Sequence, residues 1–214
     1  RAVTLAALKN DIDFKAEETS FTEDHGFASI LTVNQPVESS DYLSGEGTFS
    51  ASRMKPYLQW GYWNAEYHNI NDTSQKGVMT GLWVAGRRTP LEFVQDELEA
   101  TDFRGTYSGG VHAIQNGSSR IQGRSDVHVN FAENAFGFEF DFSDNEGPVM
   151  DGSGSINEGR LSGKVQSVTD ERLDERGRNN AKGTFFGPEA EAVGGSFEAE
   201  TIENYYQGVF EATR

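Results

Sequence analysis

From Thr101 onward the chain repeats one pattern: a run of about ten residues in which apolar and polar positions alternate, then a short polar break. Phe136, Phe138, Phe140 and Phe142 fall on one face of such a run, and Gly137, Glu139, Asp141 and Ser143 on the other. Val127, Val129 and Phe131 oppose Asp126, His128 and Asn130 in the same way. A period of two sends successive side chains to opposite faces, so each run reads as a strand with one buried and one wet face. Strands are expected over 104–114, 119–132, 135–143, 149–157, 160–167, 181–187, 193–200 and 205–213. Turns are expected at Asn116 and Gly117, Glu133 and Asn134, residues 144–147, and Glu158 and Gly159, with a longer charged loop over 168–180. Asn-Gly is the strongest of these signals, because both central residues of a type I′ turn need positive φ. Eight strands with short connections predict an all-β fold whose main part is an eight-stranded antiparallel up-and-down barrel, which removes sheet edges by closure.

The first hundred residues are less regular. Strands are expected over 27–33, 42–54, 57–70 and 77–86, with turns at 34–36, at Lys55 and Pro56, and at 71–74. Residues 1–22 mix charged and small residues and are expected to be loose. Residues 89–100 hold Pro90 ahead of Leu91, Phe93, Val94 and Leu98 at mixed spacing, which fits either a short helical crossing or an extended connector. The resulting division is a small β-rich region over 1–100 and the barrel over 101–214.

Composition supports the all-β reading and excludes several functions. The chain has 24 Gly, 15 Phe and only 5 Pro in 214 residues. Its 18 Lys and Arg against 34 Asp and Glu give a formal net charge of −16. That excess repels a phosphate backbone and an anionic lipid surface alike, so nucleic-acid binding and electrostatic membrane docking are not expected. Cysteine is absent, which removes disulfides, thiolate metal sites and Cys nucleophiles from this chain. No apolar run is long enough for a membrane helix. A membrane barrel needs an apolar outer band on every strand, and the segments around Ser153, Gly154, Ser155 and Ser162 are too polar and too rich in glycine to supply one. The chain opens on Arg1 rather than Met, as a mature or trimmed form does.

The run Gly183, Thr184, Phe185, Phe186, Gly187, Pro188, Glu189, Ala190, Glu191, Ala192, Val193, Gly194, Gly195, Ser196, Phe197, followed by Gly208, Val209 and Phe210, resembles the end of the barrel in bacterial transferrin-binding protein B-like surface proteins. Trp60, Gly61, Tyr62 and Trp63, and the run from Val84 to Pro90, are similar to segments upstream of such barrels. The resemblance covers roughly 57–214. It implies a strand, a Gly-Pro turn, one helical turn rich in Ala and Glu, a Gly-Gly pair and two closing strands. It also implies a small handle domain in front of the barrel, within residues 1–100. By function it implies surface display or secretion in a Gram-negative bacterium, and capture of a host iron source, either an iron-carrier protein or haem. The two-lobed members carry a lipidated N-terminal Cys; this chain has a single barrel and no Cys.

The residues themselves supply little chemistry. His25, His68, His112 and His128 lie in four separate segments without metal-ligand spacing, so no metal site and no required cofactor are expected. Haem ligation needs one His or Tyr over a hydrophobic slot, which makes His25, beside Phe21 and Phe27, and His68, beside Tyr67, the candidates. Tyr57, Trp60, Tyr62, Trp63 and Tyr67 form the densest aromatic run, either buried between two layers or exposed as an anchor for a protein partner. Asp141, Asp144 and Glu146 lack the spacing of a calcium loop. No carboxylate pair or nucleophile sits in a catalytic motif, so no enzymatic activity is expected. The function that the resemblance implies is extracellular or surface binding linked to iron or haem acquisition, from a host protein or the environment. The alternative is a structural, adhesion or export-signal module of a larger exported protein. A small-ligand carrier needs an open apolar cavity, whereas an interior filled by Phe136, Phe138, Phe140, Phe142, Phe185, Phe197 and Phe210 leaves none; a filled barrel is expected.

Overall fold

The computed structural model describes residues 30–33, 43–51, 57–69 and 72–214, with side chains over 57–62 and 81–214. The expectations for residues 1–22, for the turn at 34–36 and for Lys55 and Pro56 lie outside them. The chain forms two compact units, Arg1–Lys55 with Gln59–Ala85, and Pro56–Leu58 with Gly86–Arg214.

The first unit carries a four-stranded sheet in the order β1-β2-β3-β4, from β1 (Ile30–Val33), β2 (Leu43–Ala51), β3 (Leu58–Asn69) and β4 (Asp72–Gly86). β1 and β3 both pair antiparallel with β2. β4 starts earlier than the turn expected at 71–74 allows. Asp72, Thr73 and Ser74 are already strand, and the β-branched Thr73 suits a pleated ladder.

The second unit begins with the crossing at residues 89–100, and its helical reading is the one observed. A single α-helical turn, α1 (Leu91–Phe93), runs on into a π-helical stretch (Val94–Glu99) that buries Val94 and Leu98. Both join the apolar core of the barrel. The barrel follows as β5 (Arg104–Gln115), β6 (Ser119–Asn130), β7 (Ala135–Asp141), β8 (Val149–Asn157), β9 (Arg160–Val168), β10 (Asn180–Phe186), β11 (Ala192–Glu200) and β12 (Tyr205–Thr213). Each strand pairs antiparallel with the next, and β12 closes the cylinder against β5. The predicted positive-φ turns are present: Asn116 and Gly117 have φ of 52° and 76°, and Glu158 and Gly159 have 50° and 71°.

Register explains the excess of Gly and Phe. The inward Phe residues stand opposite small residues on neighbouring strands: Phe136 faces Gly154, Phe138 faces Gly152, Phe197 faces Gly208 and Phe210 faces Gly195. Glycine removes the side chain that would otherwise compete for the axis, and the facing ring fills the space. The rings then meet across the barrel. Phe138 and Phe140 stack at 4.6 Å between centroids, Phe140 lies 4.7 Å from Phe197 and 5.1 Å from Phe210. All seven Phe residues expected inside are buried, so the interior is packed with side chains.

The motif after β10 differs in detail from its expected form. No helical turn forms at 189–192. Ala190 is left-handed, with φ of 57°, and is buried. The Tyr107 hydroxyl donates to its carbonyl at 2.8 Å, and the Glu189 N–H bonds the Glu191 carboxylate at 2.9 Å. These bonds favour an irregular turn over a helix. Gly194 and Gly195 sit in the regular β11 ladder rather than in a bulge, opposite Thr184 and Gly183. A Cβ on Gly195 would collide with the Lys182 carbonyl oxygen, so this glycine serves close approach of two backbones.

Candidate functional site

The strand ends place the connections in two groups. One end of the barrel carries the helical crossing, the turns at Asn134 and Glu158, and the turn after β10. There Val94 packs against the turn glycine Gly159. The opposite end carries the turn at Asn116 and Gly117, the connection after β7, the long loop over 168–180 and the β11–β12 hairpin.

The long loop at that end is laced to the hairpin. Leu173 bridges Thr201, the Ile202 N–H donates to the Arg172 carbonyl at 3.0 Å, and the Asp174 N–H to the Glu200 carbonyl at 2.9 Å. Glu171 ties the loop to the barrel itself. Its carboxylate accepts from the Tyr206 hydroxyl at 2.5 Å and from the Thr201 hydroxyl at 2.6 Å. Gln115 Nε2 in turn donates to the Tyr206 oxygen at 3.2 Å. Burial and this neighbouring carboxylate push the Tyr206 hydroxyl well above the ordinary tyrosine range. Tyr205 donates to Glu198 at 2.7 Å and is raised by burial and that carboxylate. Glu198 also pairs with Arg178 of the loop at 3.6 Å. Ile202 stands at the hairpin tip, 67% exposed. The loop end is thus a polar, internally bonded platform with one exposed aliphatic side chain.

The aromatic run lies elsewhere. Trp60 and Tyr62 share one face of β3, their rings T-shaped at 5.4 Å, and both are half-buried. Tyr57 precedes the strand and is exposed. Trp63, Tyr67 and His68 are on the β3 ladder opposite Phe49, Gly45 and Ser44; their side chains, and His25 altogether, lie outside the described residues. His128 bonds Thr106 on the outer surface at 2.9 Å, and His112 is buried on β5. Among the described residues no group of three or more His, Asp or Glu is placed to hold a metal ion. No helix of the described residues is long and apolar enough to cross a membrane.

The sequence marked the charged loop but not its anchors. Tyr206, Thr201 and Gln115 carry no motif, and only strand register brings them to Glu171. A Tyr on an inward register position near a strand end is the one available signal.

A closed, ring-filled antiparallel barrel of eight strands defines the class of the fold. The match to a family model then fixes which: residues 63–214 match the C-lobe and N-lobe beta barrels of Tf-binding protein B, and the chain belongs to that family. Solved structures agree on the fold. Intact Ap-TbpB (N and C lobes) is 17% identical, with a TM-score of 0.52, covering 91% of this chain and 43% of that one. A point mutant of the vaccine antigen Transferrin Binding Protein B from Haemophilus parasuis Hp5 is 17% identical, with a TM-score of 0.56, covering 91% and 42%. The isotype 1 Transferrin binding protein B of serogroup B Neisseria meningitidis is 17% identical, with a TM-score of 0.55, covering 92% and 36%. The chain therefore spans less than half the length of these structures. No curated protein sequence matches it.

Proposed function

We propose that the protein is a non-enzymatic binding protein, displayed on the surface of a Gram-negative bacterium or released from it, that captures an iron-carrier protein of the host. The observation that carries this reading is the filled barrel in a member of this family. A barrel packed with Phe takes no ligand inside, so a partner is met on its outside. The loop platform around Glu171 and Ile202 is one contact surface. The aromatic residues Tyr57, Trp60, Tyr62, Trp63 and Tyr67, with His25 and His68, are the other, on the region over 1–100 that acts as the handle. Trp and Tyr suit this use, since they dominate binding hot spots.

Biolayer interferometry of the immobilised protein against iron-loaded and iron-free transferrin and lactoferrin tests the reading. Saturable binding to one carrier, weakened in W60A/Y62A, supports it. A parallel haemin titration read in the Soret region separates the haem reading, which requires a one-to-one shift lost in H25A or H68A. Failure to bind every carrier and haemin alike leaves the scaffold or adhesion role within a larger exported protein.

A further inference from the structure

One outer face of the barrel gathers cations in an otherwise acidic chain. Where the β8–β9 hairpin ends at Glu158 and Gly159, its place beside β10 is taken by residues 87–89. The Thr89 N–H donates to the Phe185 carbonyl at 3.0 Å, the Gly187 N–H to the Arg87 carbonyl at 2.8 Å, and Arg88 pairs with Phe186. The changeover leaves a cleft of about 220 Å³ lined by Arg88, Thr89, Glu158, Arg160 and Thr184, among others. It adjoins a shallower hollow lined by Arg88, Arg160, Ser162, Lys182 and Thr184.

Register puts the cations on one outer face. Arg160 stands directly opposite Thr184, and Lys182 opposite Ser162, so Arg160, Thr184 and Lys182 point the same way. Arg88 is brought to them by a hydrogen bond from Nη2 to the Thr184 hydroxyl at 3.3 Å. Arg88, Arg160 and Lys182 are exposed, and none forms an ion pair among the described residues. Glu158 lines the cleft and pairs with neither arginine. Thr89 lines the cleft through other atoms, its Oγ1 being buried.

We propose that this cleft binds a small, multiply charged oxyanion of the phosphate or carboxylate class. Arg88 and Arg160 supply planar guanidinium forks that match paired oxygens, and Lys182 adds a point charge from the adjoining hollow. Three cations held at strand spacing repel one another, and a di- or trianion relieves that repulsion. The proposal is independent of the iron-carrier reading.

Amide-resolved NMR titrations of the whole chain with sodium pyrophosphate, and separately with sodium citrate, test it at fixed ionic strength against sodium chloride. Saturable shifts centred on Thr89, Gly159, Arg160 and Thr184 are expected. In R160Q/K182Q, whose altered side chains are exposed, affinity falls by at least about tenfold, the loss of one charge-assisted bond or more. Pyrophosphate alone binding names the phosphate class, and citrate alone the carboxylate class. Absence of saturation with both, or shifts spread over all basic residues and unchanged in R160Q/K182Q, overturns the site.

Discussion

The Asn116 side-chain carbonyl accepts the backbone N–H of Tyr205 at 2.9 Å, so the first barrel turn is clamped to the start of the last barrel strand. The Asn116 amide also donates to Asn204 at 2.8 Å, and its backbone N–H to the Tyr205 carbonyl at 2.8 Å. Asn is one of the few residues that tolerates the positive φ this position requires. Asn116→Ala removes both side-chain bonds and adds backbone strain. It is expected to destabilise the barrel by about 1–3 kcal/mol, read as a lower urea midpoint with an unchanged slope.

The ring cluster carries the main apolar term. Phe140 touches Phe138, Phe197 and Phe210 and is fully buried. Phe140→Ala is expected to cost about 3–5 kcal/mol. Ile202→Ser, at an exposed hairpin tip, is expected to change stability by no more than about 0.5 kcal/mol. Thermal unfolding followed by circular dichroism separates the two; near-equal losses would mean that the cluster is not the core.

Gly195 tests whether close approach governs β11. Gly195→Ala puts a methyl into the Lys182 carbonyl oxygen and forces the two strands apart. A loss of about 2 kcal/mol or more is expected. Gly137→Ala, where a Cβ meets only ordinary contact with the Gly152 carbonyl at 3.7 Å, is the matched control and is expected to be nearly neutral. Equal melting temperatures for the two variants would exclude the steric account.

Alkaline pH reports on the Glu171 anchor. Burial and the Glu171 carboxylate raise the folded-state pKa of Tyr206, while the unfolded side chain titrates near pH 10. The unfolded chain therefore releases its proton first. The stabilising contribution is complete below about pH 10 and is lost as pH rises toward the folded value. Tyr205 adds in the same direction, as does Tyr107, which burial pushes up to about 12. Urea midpoints between pH 8 and 11.5 are expected to fall above pH 10, less steeply in Tyr206→Phe. A flat wild-type profile would contradict the arrangement.

The barrel was legible because its strands alternate over long runs and its turns need positive φ. Phe136, Phe138 and Phe140 announce an inward face, and Asn116 with Gly117 announces a hairpin. The reach of β4 to Asp72 was not legible, since strand pairing overrides the turn character of Asp and Ser. The helical turn after β10 is what the resemblance implies, and Glu and Ala are compatible with it. The hydrogen bond from Tyr107, 83 residues away, decides otherwise. The same limit applies to the surface. Arg88, Arg160 and Lys182 are far apart in sequence, and only the exchange of β9 for residues 87–89 along β10 makes them neighbours. The aromatic run of β3 was visible at once, yet a run shows which residue types are present and not which of them meet a partner.

Closure of β12 on β5 has a consequence for the order of events during synthesis. Gln115 and Tyr206 touch across 91 residues of chain, so the seam waits for β12 to emerge. Until then the nascent polypeptide displays β5 as an unpaired edge, open to pairing with another chain. The long separation also makes this step slow relative to local hairpin formation. Completion is then all-or-none: a half-built cylinder has two raw edges and an unsealed Phe interior, and the last strand removes both at once.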